Sequence, residues 1–431
     1  MPRHASNSNL KTIMSNQTNI SQSPAANRGW AVTFSGLGIN LALGILYTWS
    51  MFKGAIEKEF GWKGDQLNDP YALSCLVFAF TMIVAGRCQD KLGPRLTASV
   101  GGLLVGAGFL LCSTTNSYGV WLLGFGVLAG SGFGFGYSSA TPPALKWFPP
   151  AKTGMIAGLV VAGFGLAPVY LAPTSQYLLG HYQLQKSMLI LGIAFTIIVC
   201  GLAQLLVNPP PGYVAGAKSA PGAAAKPVAA SATPGEILRQ PTFWLLWVIY
   251  FIGSGAGLMV IGSISGMAKK SMGTAAFIAV AIMAIGNASG RVLAGTLSDK
   301  IGRRWTLCLV LVIQAVLMGV AIPVTASKDM PAVVIVLMAA MIGANYGANL
   351  ALFPSYTKDL WGLKNFGMNY GVLFTAWGVG GLVLPRLQQT LTASSGGSYT
   401  SSFITAGVLL LIGTALTFLI KPPPPKPAAQ A

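Results

Sequence analysis

Apolar runs long enough to cross a bilayer recur twelve times along this chain, and that recurrence decides what it can fold into. The runs fall near residues 30–52, 70–86, 96–115, 118–144, 154–177, 186–207, 242–268, 273–298, 305–326, 331–353, 366–385 and 402–420. A hydrocarbon core of about 30 Å takes roughly 20 helical residues, so each run is expected to be one transmembrane helix. Charge is scarce to match: 8% of residues are Asp, Glu, Lys or Arg, against about 25% in soluble proteins. The first run, Trp30 to Phe52, is too long for the core of a signal peptide. The expected class is an all-α membrane protein that takes the lipid bilayer as its main partner.

A net charge of +18 would suggest nucleic acid in a soluble protein, but here its distribution matters more than its size. Eighteen of the 27 Lys and Arg lie in the N-terminal tail, the loops 87–95, 146–152, 300–304 and 358–364, the linker 208–241 and the C-terminal tail. All of these fall on one side of the twelve spans. Eight lie on the other side (Lys53, Lys58, Lys63, Lys186, Lys269, Lys270, Lys328 and Arg386), which leaves Arg291 inside a span. The positive-inside rule puts both termini in the cytoplasm. The charge orients the chain and gives no reason to expect nucleic acid. The five cysteines (Cys75, Cys88, Cys112, Cys200, Cys308) sit in or beside apolar spans without paired spacing, and the histidines are only His4 and His181. No disulfide, metal centre or cofactor is expected.

Residues 1–29 are Ser/Asn-rich and read as a disordered tail, and 421–431 as a Pro-rich tail. Residues 208–241 form a Pro/Ala/Gly-rich linker whose composition is not that of a packed core. It separates six spans (30–207) from six (242–420). The two halves repeat a loop: "GRCQDKLGPR" (Gly86 to Arg95) and "GTLSDKIGRR" (Gly295 to Arg304) both read G-x-x-x-D-x-x-G-x-R, 209 residues apart. Two copies at equivalent places mark an internal duplication. The same offset carries Tyr137 onto Tyr346, and an offset of 213 aligns "TGMIAGLVVAGFG" with "FGMNYGVLFTAWG" and Phe164 with Trp377. Matched aromatic residues at equivalent depth are expected near the interface between the repeats.

The paired loop, the six-plus-six layout and the linker resemble the major facilitator superfamily over residues 30–420. That resemblance implies two six-helix bundles related by a pseudo-twofold axis. It also implies that Asp90/Arg95 and Asp299/Arg304 are gating pairs that break and reform as the halves rock.

Symmetry fails at the intramembrane charge, because the offset carries Arg291 onto Met82 and Asn287 onto Phe78. A charge at the bilayer centre costs about 2.5–3.5 kcal/mol on insertion scales. None of the nine acids lies inside a span, and Asp299, eight residues on, is about 12 Å away along a helix. Arginine stays protonated, so a buried Arg291 requires an anion from outside the protein. Asn287, one turn earlier, is placed to orient it or to share the anion. The alternative is that the long side chain snorkels to water.

The segments "LGILYTWSMF", "NASGRVLAGTLSDKIGR", "ALFPS" and "NYG" resemble the oxalate:formate antiporter branch and, more distantly, the monocarboxylate transporters. In that group the eighth-helix Arg binds the substrate carboxylate, which here is Arg291, and Tyr47, Tyr137 and Tyr346 fall where the pocket is aromatic. Cys75 and Asn349 complete the candidate lining. Oxalate carriers of the group place a second cation where this chain has Trp377, and the animal-type carriers place an Asp where it has Asn287. One cation matches one carboxylate. The expected function is therefore a plasma-membrane (bacterial inner-membrane) carrier for a small monocarboxylate such as lactate, pyruvate or formate, with Trp377 and Phe164 as apolar walls. Its partners would be the substrate anion with a coupled proton or counter-anion, and a monomer would suffice. An oxalate:formate-type exchanger is the alternative. An exporter of amphipathic cations would want buried acids, and a non-transporting sensor would want a signalling domain. With no acid inside a span, acid–base catalysis lacks candidates, so no enzyme is expected.

Overall fold

In a computed structural model of the protein, residues 28–210, 213, 215, 231–272, 276–327 and 330–421 are described. Most of the N-terminal tail, the C-terminal tail after 421 and the middle of the linker lie outside the described residues, as do Lys328 and the side chains of Lys269 and Lys270. Twelve helices are long and apolar enough to cross a membrane. We label them α1 (Gly29–Phe60), α2 (Asp69–Leu92), α3 (Pro94–Ser113), α4 (Tyr118–Trp147), α5 (Thr153–His181) and α6 (Leu184–Ala203). The second half comprises α7 (Pro241–Met272), α8 (Ala276–Ile301), α9 (Arg303–Ala326), α10 (Ala332–Trp361), α11 (Phe366–Ser394) and α12 (Thr400–Thr417). No strand occurs among the described residues.

The halves meet chiefly through two crossed pairs, α2 with α11 and α5 with α8. Lipid supplies no hydrophobic drive between helices, so close approach depends on small residues. At Gly86 and Gly371 of the first pair, and Gly154, Gly158 and Gly295 of the second, an added Cβ would collide with backbone of the facing helix. Large apolar residues such as Phe34, Val84, Ile197, Leu293 and Val316 are exposed on the perimeter, where lipid would cover them.

Two helices depart from regular α geometry along their length. α1 tightens to a 3₁₀ turn over Gly44–Thr48, and α4 carries a π-helical stretch over Leu122–Ala129. Such irregularities are tolerated within a membrane where protein buries them. Gly44 permits the first, since a Cβ there would lie 2.6 Å from the Phe164 carbonyl of α5. That close approach brings Tyr47 to the interface between the halves.

The end of the linker packs, contrary to the expectation from its composition. Thr233 and Glu236 form a capping box on the short helix Pro234–Leu238, and Ile237 is buried. The Ala232 carbonyl accepts from the Asn365 and Asn369 side chains, both at 3.0 Å. One short capped helix, with Ala232 and Ile237 buried beside it, docks the end of a segment whose overall composition is Pro/Ala/Gly-rich.

Candidate substrate site

Asn287 and Arg291 lie one turn apart on one face of α8. Arg291 is 0% exposed. Its Nε donates to Asn287 Oδ1 at 2.9 Å, and Nη1 donates to the Val161 carbonyl of α5 at 2.5 Å. The guanidinium therefore reaches across to the first half instead of running out to water, and the snorkelling alternative falls. Glycines of α5 make the room: a Cβ on Gly165 would sit 2.9 Å from Asn287 Oδ1 and 3.2 Å from Arg291 Nε. Nη2 is left buried without a partner. No acid among the described residues pairs with Arg291, since the ion pairs there are those of Arg303 with Asp299 and Asp359.

Arg291 forms the polar wall of a small cavity between the halves, lined also by Tyr47, Phe78, Tyr137, Phe164, Leu350, Phe374 and Trp377. Its ≈ 10 Å³ of water-sized space is close to what one water needs. The rings pack edge to face, with Tyr47 and Phe164 centroids 5.1 Å apart and Phe78 and Trp377 5.4 Å apart. Trp377 Nε1 donates to the Tyr346 hydroxyl at 2.9 Å, and that hydroxyl shares a 2.8 Å bond with Tyr47. Tyr346 thus stands behind the lining and ties Tyr47 of one half to Trp377 of the other.

The sequence-based set is brought together in large part. Tyr47, Tyr137, Phe164, Arg291 and Trp377 line the cavity, with Asn287 and Tyr346 immediately behind. Two members stand elsewhere. Asn349 is turned toward α9 and α7, donating to Gln314 Oε1 at 3.2 Å with its amide against Gly253. Cys75 is buried on α2 beside the backbone of Gly378 and outside the lining. Three lining residues escaped the sequence reading. Phe78 was marked by the repeat as the mate of Asn287, and Phe374 precedes Trp377 by three residues on the same helical face. Leu350 carried no signal, and neither did the Val161 carbonyl, a backbone group present at every position.

The repeated loops depart from their expected pairing. Asp90 accepts from Gly367 N and Met368 N, both at 3.0 Å, at the start of α11. Asp299 accepts from Gly154 N and Met155 N at 2.8 and 2.9 Å, at the start of α5. Each carboxylate caps a helix of the opposite half, satisfying first-turn N–H groups at the positive end of its dipole. Neither receiving helix has a side-chain cap of its own. Arg95 is exposed and makes no ion pair among the described residues. Asp299 pairs with Arg303 at 2.7 Å, not with Arg304, which donates to the Phe418 carbonyl at 3.2 Å. The motif glycines serve the same contact: Gly86 meets Gly367, and Gly295 meets Gly154, too closely for any Cβ. The face carrying these loops, called the loop face below, is closed.

Twelve helices long and apolar enough to span a membrane, in two repeated halves with the fully buried Arg291 unpaired between them among the described residues, define a transporter scaffold. The Major Facilitator Superfamily pattern matches residues 29–327 and 267–431, and the chain belongs to that family. It is 31% identical to the uncharacterized MFS-type transporter YhjX of Escherichia coli (strain K12) over 82% of this chain and 86% of the relative. It is 28% identical to the oxalate:formate antiporter of Oxalobacter formigenes over 94% of each chain, and 25% identical to monocarboxylate transporter 13 of Bos taurus over 91% and 89%. Among solved structures, FucP in its outward conformation superposes with a TM-score of 0.66 at 16% identity, over 90% of this chain and 98% of that one. At that identity the likeness concerns the fold. The named relatives are transporters, not enzymes, and this chain is a membrane transporter of the same family.

Proposed function

We propose that the protein carries a small monocarboxylate across the membrane by alternating access, with the carboxylate paired to Arg291. One observation carries this reading: a fully buried guanidinium with Nη2 unpartnered and no facing acid among the described residues. A buried cation is costly unless compensated, and a carboxylate meeting Nη2 would supply both charge and acceptor. Tyr47 and Tyr137 line the same cavity, and its apolar rings favour a short carbon chain of the formate, pyruvate or lactate type. Trp377 at the position of a second cation disfavours a dianion. The relatives named for oxalate:formate exchange and for monocarboxylates support the substrate class, and the former keeps an oxalate:formate-type exchange as the second reading.

In this mechanism the anion neutralises Arg291 and lowers the barrier to rocking the halves, while a site without anion keeps an uncompensated cation and returns slowly. Exchange is therefore faster than net flux. We place the termini and the loop face in the cytoplasm of a bacterial inner membrane, following the distribution of Lys and Arg, with the monomer as the working unit. Uptake of labelled formate, lactate, pyruvate and oxalate into proteoliposomes, with and without the same acid inside, tests the whole reading. Arg291→Lys, which keeps the charge but loses the planar fork, is expected to lower counterflow roughly tenfold or more. Wild-type counterflow in that variant would end the assignment of Arg291, and oxalate outcompeting every monocarboxylate would end the choice of substrate.

A further inference from the structure

Asp90 fills a place on α11 that the residue just before a helix usually fills. An N-cap side chain accepts from the second and third N–H groups of its own helix. On α11, which starts at Phe366, those groups belong to Gly367 and Met368, the two that donate to Asp90. The N-cap position is Asn365, a residue type among the best suited to the task, yet its side chain makes no cap. Its Nδ2 donates instead to the Ala232 carbonyl, at the end of the linker, at 3.0 Å. The other receiving helix has no such rival to its aspartate. At the 213 offset the mate of Asn365 is Lys152, the N-cap residue of α5, and an ammonium offers no acceptor.

The end of the linker is seated firmly enough to keep Asn365 occupied. Ala232 N donates to the Trp361 carbonyl at 3.1 Å, and the Ala232 carbonyl takes a second bond from Asn369 at 3.0 Å. Ile237, 0% exposed, anchors the short helix that follows, and Gln240 Oε1 accepts from Trp361 Nε1 at 2.9 Å. Asn365 has ψ 29°, whereas a capping residue is extended. Rotation about that one bond, once Ala232 lets go, takes Asn365 into the capping conformation. Parting α2 from α11 removes Asp90 from two first-turn N–H groups, and such orphaned groups disfavour the parted state. A helix able to cap itself loses less.

We propose that the docked end of the linker, Ala232 to Gln240, is a clasp on the loop face: by holding the Asn365 amide it denies α11 a cap of its own and reserves Gly367 and Met368 for Asp90. Release of the clasp lets Asn365 replace Asp90 and lowers the cost of opening that face. The segment that joins the halves thus sets how readily they part, whichever anion Arg291 carries.

Disulfide formation between Arg87→Cys and Met368→Cys reports closure of the loop face, since the two native side chains meet there at 4.0 Å. It is followed in the full-length protein in proteoliposomes, in a parent whose five native cysteines are replaced by Ser. Asn365→Ser and Asn365→Ala both remove the amide that reaches Ala232, but only Ser can cap. Cross-linking is expected to slow about fivefold in Asn365→Ser, the worth of one cap, and to stay within about twofold of the parent in Asn365→Ala. Ile237→Asp unseats the linker end by burying a charge and leaves Asn365 in place. It is expected to slow cross-linking to a similar degree, and adding Asn365→Ala is expected to restore the parent rate. Equal rates in Asn365→Ser and Asn365→Ala overturn the clasp. A parent rate in Ile237→Asp alone overturns it too, as does a slow rate that persists in the double variant, which would make the linker act without Asn365. If Ile237→Asp does not fold, the Ser and Ala variants decide by themselves.

Discussion

The two helix pairs that close the loop face differ in what they add to a shared device. In both α2/α11 and α5/α8 a Gly–Gly contact lets backbones touch, and an Asp four residues later caps the facing helix. α2/α11 stops there: among the described residues Asp90 has no Lys or Arg in ion-pair contact, and the amide of buried Gln89 beside it is unpartnered. In α5/α8, Arg303 joins Asp299 at 2.7 Å to Asp359 at 2.8 Å and donates to Ser298 Oγ, and Lys358 donates to Thr153 Oγ1 at 2.7 Å. Ten residues before its Ile301 end, α8 carries Arg291 where the repeat offset puts Met82 on α2. Closure is thus built twice, and charge chemistry once. A duplicated scaffold can keep the packing that both copies need while one copy takes on the anion and the stronger tether.

The comparison is broken most directly by Arg291→Met, which gives both pairs the same apolar residue at that depth. Counterflow is expected to fall about a hundredfold or more, while the unfolding temperature holds or rises, since removing an unpaired buried cation relieves its desolvation cost. A lower unfolding temperature would mean that the bonds to Val161 and Asn287 are chiefly structural.

Next in size is the pair Asp299→Asn and Asp90→Asn. Each loses charge-assisted bonds to two backbone N–H groups, roughly 1.5–3 kcal/mol in favourable burial, but Asp299→Asn also frees one arm of Arg303. Its unfolding temperature should drop further than that of Asp90→Asn; equal drops would show that the Arg303 network contributes nothing measurable. Gly86→Ala and Gly295→Ala sharpen the part that is shared. Each forces a Cβ into a facing carbonyl, so both should destabilise by about 1–3 kcal/mol, and by similar amounts, in matched denaturation experiments. The smallest effect is expected from Trp377→Phe, which keeps the apolar wall but drops the bond to Tyr346. A fall in counterflow of a few-fold, with affinity little changed, corresponds to about 1 kcal/mol for one neutral hydrogen bond.

Much of this was legible before any coordinates. The twelve spans follow from length and hydropathy because a bilayer leaves each span only local hydrogen-bonding options. The repeat located both loops and the aromatic mates, and the count of acids isolated Arg291. The repeat also contained the partners of the Asp caps, since Gly154–Met155 and Gly367–Met368 align at the 213 offset. Asp90 and Asp299 were nonetheless read toward the arginines that end the repeated motif, Arg95 and Arg304, because sequence shows side-chain charges and is silent on unpaired backbone N–H groups. Asn349 misled for a related reason: a polar residue in a span suggests a pocket, yet its amide pairs with Gln314 across three packed helices.

The sequence alone determined that the chain crosses the membrane twelve times, in two related halves, with one cation and no acid inside a span. Those are properties of local composition and of repetition. Tertiary structure decided the direction in which Arg291 points, the backbone carbonyl that holds Nη1, the aromatic rings that line the cavity with it, and the helix that each loop aspartate caps. All of these depend on which surfaces of distant segments meet. A helix has a polar atom on every residue and several faces, and only packing selects the ones that touch.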